Sequence, residues 1–167
     1  MALLSNSVQS VLSLLPRSAV LLSRLLLASS LTLLFSNSLL AQQDDRTPEE
    51  KAYQFRDGVF HAMEWKFGQI IQAKFAKDTA GFQSHAQDLA YLAAMIDEGF
   101  IANSIVEGSK AKAEIWEDRK DFSKRADELE TAALALSKSD DLDAFSPRKF
   151  GGEHCGGCHR RFKVKEE

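Results

Sequence analysis

Two thiols and an imidazole stand within five residues of one another in HCGGCHRRF, residues 154–162, and Cys155 and Cys158 are the only cysteines of the chain. On a helix, Cys155, Cys158 and His159 occupy i, i+3 and i+4, so both sulfurs and the imidazole project from one face within about one turn. A c-type haem needs that geometry. The thiols add across the two porphyrin vinyl groups to form thioethers, while the adjacent imidazole reaches the iron from the same side. Gly156 and Gly157 add no bulk against such a ring.

Other chemistries fit these residues less well. A thioredoxin-like pair needs a βαβ context and a helix N-terminus that lowers a thiol pKa, and no segment of this chain reads as a strand. A zinc site needs four ligands. Cys155, Cys158 and His154 or His159 supply three, so His61 or His85 would have to arrive from another helix. A disulfide would close a tiny loop and stabilise little.

The elements that must position this motif read as helices. From residue 47 onward both prolines and most glycines sit near segment boundaries, and no stretch shows period-2 alternation. Thr47, Pro48 and Glu50 form a capping box with Pro at the first helical position, predicting a helix to about Lys77. Its apolar stripe is Ala52, Phe55, Val59, Phe60, Met63, Phe67, Ile70, Ile71 and Phe75. Asp78 or Thr79 caps a second helix with Phe82, Ala86, Leu89, Ala93 and Ile96 inward, ending at Gly99. FIANSIVEGSKAKA, residues 100–113, is the longest connection. A third helix is predicted over about Ala113 to Ser137, with Ile115, Phe122, Ala126, Leu129, Ala133 and Leu136 at three- and four-residue steps. KSDDLD makes a solvated turn, and a short fourth helix follows Ser146-Pro147, with the Gly151-Gly152 pair expected to interrupt it so that regular helix begins near Gly152. The fold expected is all-α, an antiparallel four-helix bundle with a C-terminal covalent haem site.

The first forty residues differ from the rest. They hold no acidic residue and carry Arg17 and Arg24 ahead of the apolar run LLLASSLTLLF, residues 25–35. The run is shorter than the roughly 20 apolar residues of a spanning helix, so residues 1–41 read as a signal peptide cleaved near Ala41, and the protein as periplasmic. Removing them takes away two arginines and no acid, so the formal charge of −3 becomes −5 over the remaining 126 residues. A mildly acidic exported chain is a poor binder of nucleic acid. Outside the cytosol free thiols tend to oxidise, and thioether formation would consume both.

Three features together resemble one family, cytochrome c-prime with its low-spin relatives of the cytochrome c-556 type. They are a single CGGCH near the C-terminus, FRDGVFHAMEWKFG at residues 55–68, and EIWEDRKDF at residues 114–122. The resemblance implies that Cys155 and Cys158 are the thioether positions of one haem c and that His159 is the axial iron ligand. It further implies that Arg56 lies near a propionate with Asp57 beside the haem, that Lys163 stands beside the axial His, and that Phe60 covers the distal iron face with Met63 packing on the porphyrin. The spacing is independent support: Arg56, Phe60, Met63 and Phe67 share one helical face. His61, about 100° round from Phe60, and His85 are expected on the surface, and His154 is poorly placed to cross to the other face.

With Phe60 opposite His159 the iron would be five-coordinate and high-spin, on an apolar face suited to nitric oxide or carbon monoxide rather than dioxygen. The resemblance implies the same gas ligands, and a homodimer through the first two helices. The alternative is a low-spin electron-transfer protein with Met63, or less readily His61, as sixth ligand and a periplasmic redox partner. Neither reading is an enzyme, since no nucleophile–base pair or carboxylate dyad stands out.

Overall fold

The computed structural model describes residues 44–102 and 104–165. The segment read as a signal peptide, residues 1–41, lies outside them. No helix among the described residues is long and apolar enough to cross a membrane.

Helix α1 spans Pro48–Ala76, α2 Thr79–Ala94, α3 Glu114–Glu117, α4 Arg119–Leu136, α5 Pro147–Phe150 and α6 Gly156–Phe162, with a 3₁₀ turn at Ile96–Gly99 and a π-type turn at Gly151–Cys155. Helix α2 packs against both α1 and α4, and the α5–α6 segment closes against α4. Four helical layers result: α1, α2, α3 with α4, and residues 147–162. Among the described residues the β-structure is one isolated antiparallel bridge between Ala111 and Lys163.

The start of α1 follows from its residues. The Glu50 N–H donates to Thr47 Oγ1 at 3.2 Å, and the Glu50 carboxylate accepts from the Thr47 N–H at 2.7 Å, so two otherwise orphaned donors are satisfied. At the far end Lys77 is left-handed, with φ 58°, and the Asp78 N–H donates back to the Ala73 carbonyl. Asp78 then caps α2 by accepting from the Gly81 N–H at 2.9 Å. Two residues thus reverse the chain.

The inward stripe of α1 is Ala52, Arg56, Val59, Met63, Ile70 and Ala73. Phe55 and Phe75, both expected in the core, are 40% and 75% exposed. Arg56 takes the inward position one residue beyond Phe55, and Phe75 falls off the stripe altogether. Elsewhere the patterning holds: Phe82, Ala86, Leu89, Ala93, Ile96, Ile115, Phe122, Ala126, Leu129 and Ala133 are all buried.

Two helical boundaries differ from expectation. The third helix is not continuous, because Asp118 leaves helical geometry (φ −122°, ψ 58°) and its carboxylate caps α4 by accepting from the Asp121 N–H. The same carboxylate accepts from Arg161 Nη2 at 2.5 Å, so a tertiary contact shares the residue that breaks the helix. The last helical segment does not begin near Gly152. It starts at Pro147, with Ser146 Oγ accepting from the Lys149 N–H at 3.4 Å, and runs through the glycine pair. Each glycine costs a helix about 1 kcal/mol relative to alanine, but Phe150 anchors the turn from the core, its ring stacked on Phe67 at 5.6 Å between centroids. The Gly156 N–H reaches the Gly151 carbonyl five residues back, which makes the turn a wide one.

Candidate haem site

Between α1, α2, α4 and the last helix lies a cavity of about 720 Å³. Protein interiors are close-packed, and voids larger than a water molecule are few, so a space of this size in a small bundle is built to be filled. Cys155, Cys158 and His159 all line it, on a helix whose inward anchors are Phe150 and Phe162. Facing them across the bundle are Phe60, Met63 and Phe67 of α1 and Leu89 of α2, with Phe122, Ala126 and Leu129 of α4 completing an apolar wall. The motif and the α1 face that the sequence places together do meet at one site.

The two thiols are free and half-buried. Burial pushes the Cys155 thiol up, and the Cys158 thiol up to about 11, with the Arg125 guanidinium pulling the other way. A thioredoxin-like nucleophile needs the opposite shift. Desolvation, and then the nearby Lys163 ammonium, hold the His159 imidazole below its ordinary value, which favours the neutral ring that a metal requires. Among the described residues no group of three or more His, Cys, Asp or Glu side chains is arranged to hold a bare metal ion.

Arg56 is 4% exposed. Nη1 donates to the Gly99 carbonyl at 2.8 Å and to Ser104 Oγ at 3.0 Å, and Nη2 donates to the Ser104 carbonyl at 2.6 Å and to Ser109 Oγ at 3.0 Å. It packs over the Tyr53 and Phe100 rings, and desolvation lowers its pKa. All four partners are neutral oxygens. Asp57, exposed next to it, is the carboxylate that acts on this cation, and a buried charge hydrogen-bonded only to neutral groups is unfavourable, so the cavity wall keeps an attraction for a further carboxylate such as a porphyrin propionate. The residues present fit the group: two thiols and an imidazole on one face, an apolar slot, and a cation at one end.

Asp57 and Lys163 also line the cavity. Asp57 is exposed at its rim, and Lys163 ends the last helix, its N–H donating to the His159 carbonyl at 3.1 Å. His61 borders the rim as well, but its side chain is 73% exposed and Nδ1 lies 2.9 Å from the Asp57 carbonyl of its own helix. His154 also lines the cavity and packs its ring on Phe150, 4.8 Å between centroids. His85, expected on the surface, is half-buried, and its Nδ1 is buried with no hydrogen-bond partner.

Several lining residues carried no signal in the sequence reading. The connection between the second and third helices supplies one wall: Phe100, Gly108, Ser109, Lys110 and Ala111 border the cavity. Tyr53 Oη donates to the Gly108 carbonyl, and Lys110 and Lys112 exchange backbone hydrogen bonds with Val164 and Phe162. The connection is a strap between α1 and the chain's end, held by backbone groups that composition does not reveal. Arg125 stands on the same face as Phe122, Ala126 and Leu129, so the α4 stripe would have flagged it had charged positions been included. It shares Asp121 with Arg161, each at 2.8 Å, which ties the last helix to α4 two residues beyond His159.

A search of curated proteins found no match. Solved structures do match. Cytochrome c prime from Shewanella frigidimarina is 27% identical with a TM-score of 0.62, the alignment covering 72% of this chain and 100% of that one. A ferrous variant of cytochrome c prime from Alcaligenes xylosoxidans, with bound nitric oxide, is 25% identical with a TM-score of 0.61, over 73% of this chain and 100% of the other. A reduced arginine-to-alanine variant of the latter protein is 25% identical with a TM-score of 0.60, over 70% and 97%. The family model described as Cytochrome C' matches residues 51–163, the stretch that runs from the first turn of α1 to the end of the haem motif's helix. With cavity, motif position and bundle in agreement with that match, the chain belongs to the cytochrome c′ family and is a haem-binding electron-transfer protein with covalently attached haem c.

Proposed function

We propose that Cys155 and Cys158 carry the haem, that His159 is the single protein ligand to its iron, and that the open face takes nitric oxide or carbon monoxide. The haem supplies a redox-active iron able to bind a diatomic ligand. The observation that carries this reading is the character of the wall facing the motif. Phe60, Met63, Phe67 and Leu89 offer no hydrogen-bond donor, and dioxygen depends on one more than nitric oxide does. The donors nearest on α1 are engaged elsewhere: Arg56 with Gly99, Ser104 and Ser109, and the His61 ring beside the Asp57 carbonyl. Bound nitric oxide in a relative 25% identical over its full length supports the same ligand class here.

Arg56 and Lys163 provide positive charge for the propionates, with Asp57 at the rim. Trp65 on α1 and Tyr91 on α2, 66% and 62% exposed, support a second copy of the chain packing on these two helices. The leader-like residues 1–41 support a periplasmic site of action, and the protein acts as a carrier of ligand and electrons rather than as an enzyme.

The optical spectrum of the purified holoprotein, ferric and dithionite-reduced, tests the reading. A broad reduced Soret band that sharpens on adding carbon monoxide is expected. Sharp, split α and β bands indifferent to carbon monoxide would mean a sixth protein ligand, Met63 or less readily His61, both of which line the cavity. Sedimentation velocity checks the dimer.

A further inference from the structure

Hydrogen-bond capacity is finite, and at the Arg56 end of the cavity nearly all of it is engaged. A guanidinium carries five N–H donors. The protons of Arg56 Nη1 and Nη2 go to Gly99, Ser104 and Ser109, which leaves the Nε proton alone. Arg56 therefore keeps its charge for the cavity while its directed donors hold the strap.

Ser109 is in the opposite condition. Its Oγ accepts from Arg56 Nη2 at 3.0 Å and from the Ala111 N–H at 3.3 Å. A hydroxyl oxygen offers two acceptor lone pairs and one proton, so both acceptor places are filled and only donation is left. Among the described residues no acceptor takes that proton. Ser109 borders the cavity, whereas Ser104, the other hydroxyl on Arg56, is fully buried.

The backbone fixes the serine on both sides. The Ser109 N–H donates to the Val106 carbonyl at 3.0 Å, and the Tyr53 hydroxyl donates to the Gly108 carbonyl at 3.2 Å. Gly108 takes φ 81°, a conformation that glycine adopts without steric cost, and a Cβ there would stand 3.3 Å from the Tyr53 hydroxyl. A hydroxyl whose oxygen receives an N–H from a cation is polarised, which strengthens the bond that it donates.

We infer that the Ser109 hydroxyl, rather than the Arg56 guanidinium, makes the direct hydrogen bond to a haem propionate at this end of the cavity. Arg56 supplies the charge and, by filling an acceptor place on the serine oxygen, commits the serine to donate. The inference rests on the haem-bearing reading above. A neutral acceptor fits less well, because the cation behind the serine favours an ionised one. Lys163 also borders the cavity, but an ammonium on a flexible stem fixes no bond direction.

Soret-excited resonance Raman spectra of the ferrous holoprotein test the contact, since the bending mode of a haem propionate lies higher when its carboxylate is hydrogen-bonded. Ser109→Ala should move that mode to lower frequency while the spin-state lines keep their positions. Ser109→Thr, which keeps the hydroxyl, should leave the mode where the natural protein has it. In both variants the strap retains its ties to Tyr53 and to the end of the chain, so both should fold. A mode that stays in place in Ser109→Ala overturns the inference and gives the carboxylate to Arg56 Nε or to Lys163. So does a mode displaced equally by alanine and threonine, which would make the effect one of strap packing. A chain without a haem spectrum would instead overturn the reading beneath it.

Discussion

Arg56 and Ser104 are joined twice: Nη1 donates to the serine hydroxyl at 3.0 Å and Nη2 to its carbonyl at 2.6 Å, with both residues buried. The pair fastens the middle of the 100–113 strap to α1 and fixes one end of the cavity. Truncation in Arg56→Ala leaves the Gly99 and Ser104 carbonyls in a dry site without their donors, and each such orphan costs about 1–3 kcal/mol. Chemical denaturation of the variant should show a loss of roughly 3 kcal/mol, with the strap more open to proteolysis. A loss no larger than an exposed arginine gives would contradict the clamp.

Phe60 lines the cavity opposite the motif, its ring edge-on to Phe100 at 6.2 Å, and on the gas-binding proposal it must rotate before a ligand enters. Phe60→Ala is therefore expected to speed carbon monoxide association by about tenfold, which is ~1.4 kcal/mol of barrier. Flash photolysis that returned an unchanged rate would remove the gate.

Met63 distinguishes the coordination states. Leucine conserves its volume, and such swaps usually cost less than about 1.5 kcal/mol, so Met63→Leu should fold. In a five-coordinate protein the ferrous spectrum stays as it was; conversion from a low-spin to a high-spin spectrum would identify Met63 as a ligand.

Acid should loosen the last helix through Asp121. The Arg125 hydrogen bond holds this carboxyl below its ordinary value, with Arg161 adding to the effect. A depressed carboxylate pKa contributes stability above the unfolded value, and that contribution is lost as pH falls through the folded one. The stability gap between the natural protein and Asp121→Asn should thus be present near neutral pH and close under acid. A gap that persisted at low pH would mean that Asp121 acts through packing rather than charge.

Attachment itself is tested by Cys155→Ser/Cys158→Ser. Acidified organic solvent should extract the haem from this double variant and leave it on the natural chain, whereas extraction from both would argue against thioether bonds.

Much of the bundle was legible because its signals are local. Thr47, Pro48 and Glu50 announce a helix start through groups three residues apart, and the stripes of α2 and α4 report one-sided burial directly. The motif was legible for the same reason, since Cys155, Cys158 and His159 are neighbours along the helix as well as in space. What could not be read depends on partners distant in sequence. Asp118 breaks the third helix while receiving Arg161, 43 residues away. Arg56 is buried because Gly99, Ser104 and Ser109 close over it, and Phe55 is exposed because its neighbour holds the inward place. The glycine pair misled for a related reason: Phe150 stacks on Phe67, and this tertiary contact outweighs the weak helix propensity around it.

The wide turn at Gly151–Cys155 gives the last helical segment two phases. Each residue of an α-helix advances about 100° round the axis, and a closure five residues back accommodates one extra residue. Phe150, which locks the segment to Phe67, is thereby set in a different rotational frame from Cys158, His159 and Phe162. A one-residue insertion or deletion at the glycine pair would read in the sequence as a trivial change of length, yet it would act as a rotation, swinging the cofactor-bearing half against a half that stays anchored. The aim of the imidazole can be adjusted at that turn with little disturbance to the core packing that holds the helix down.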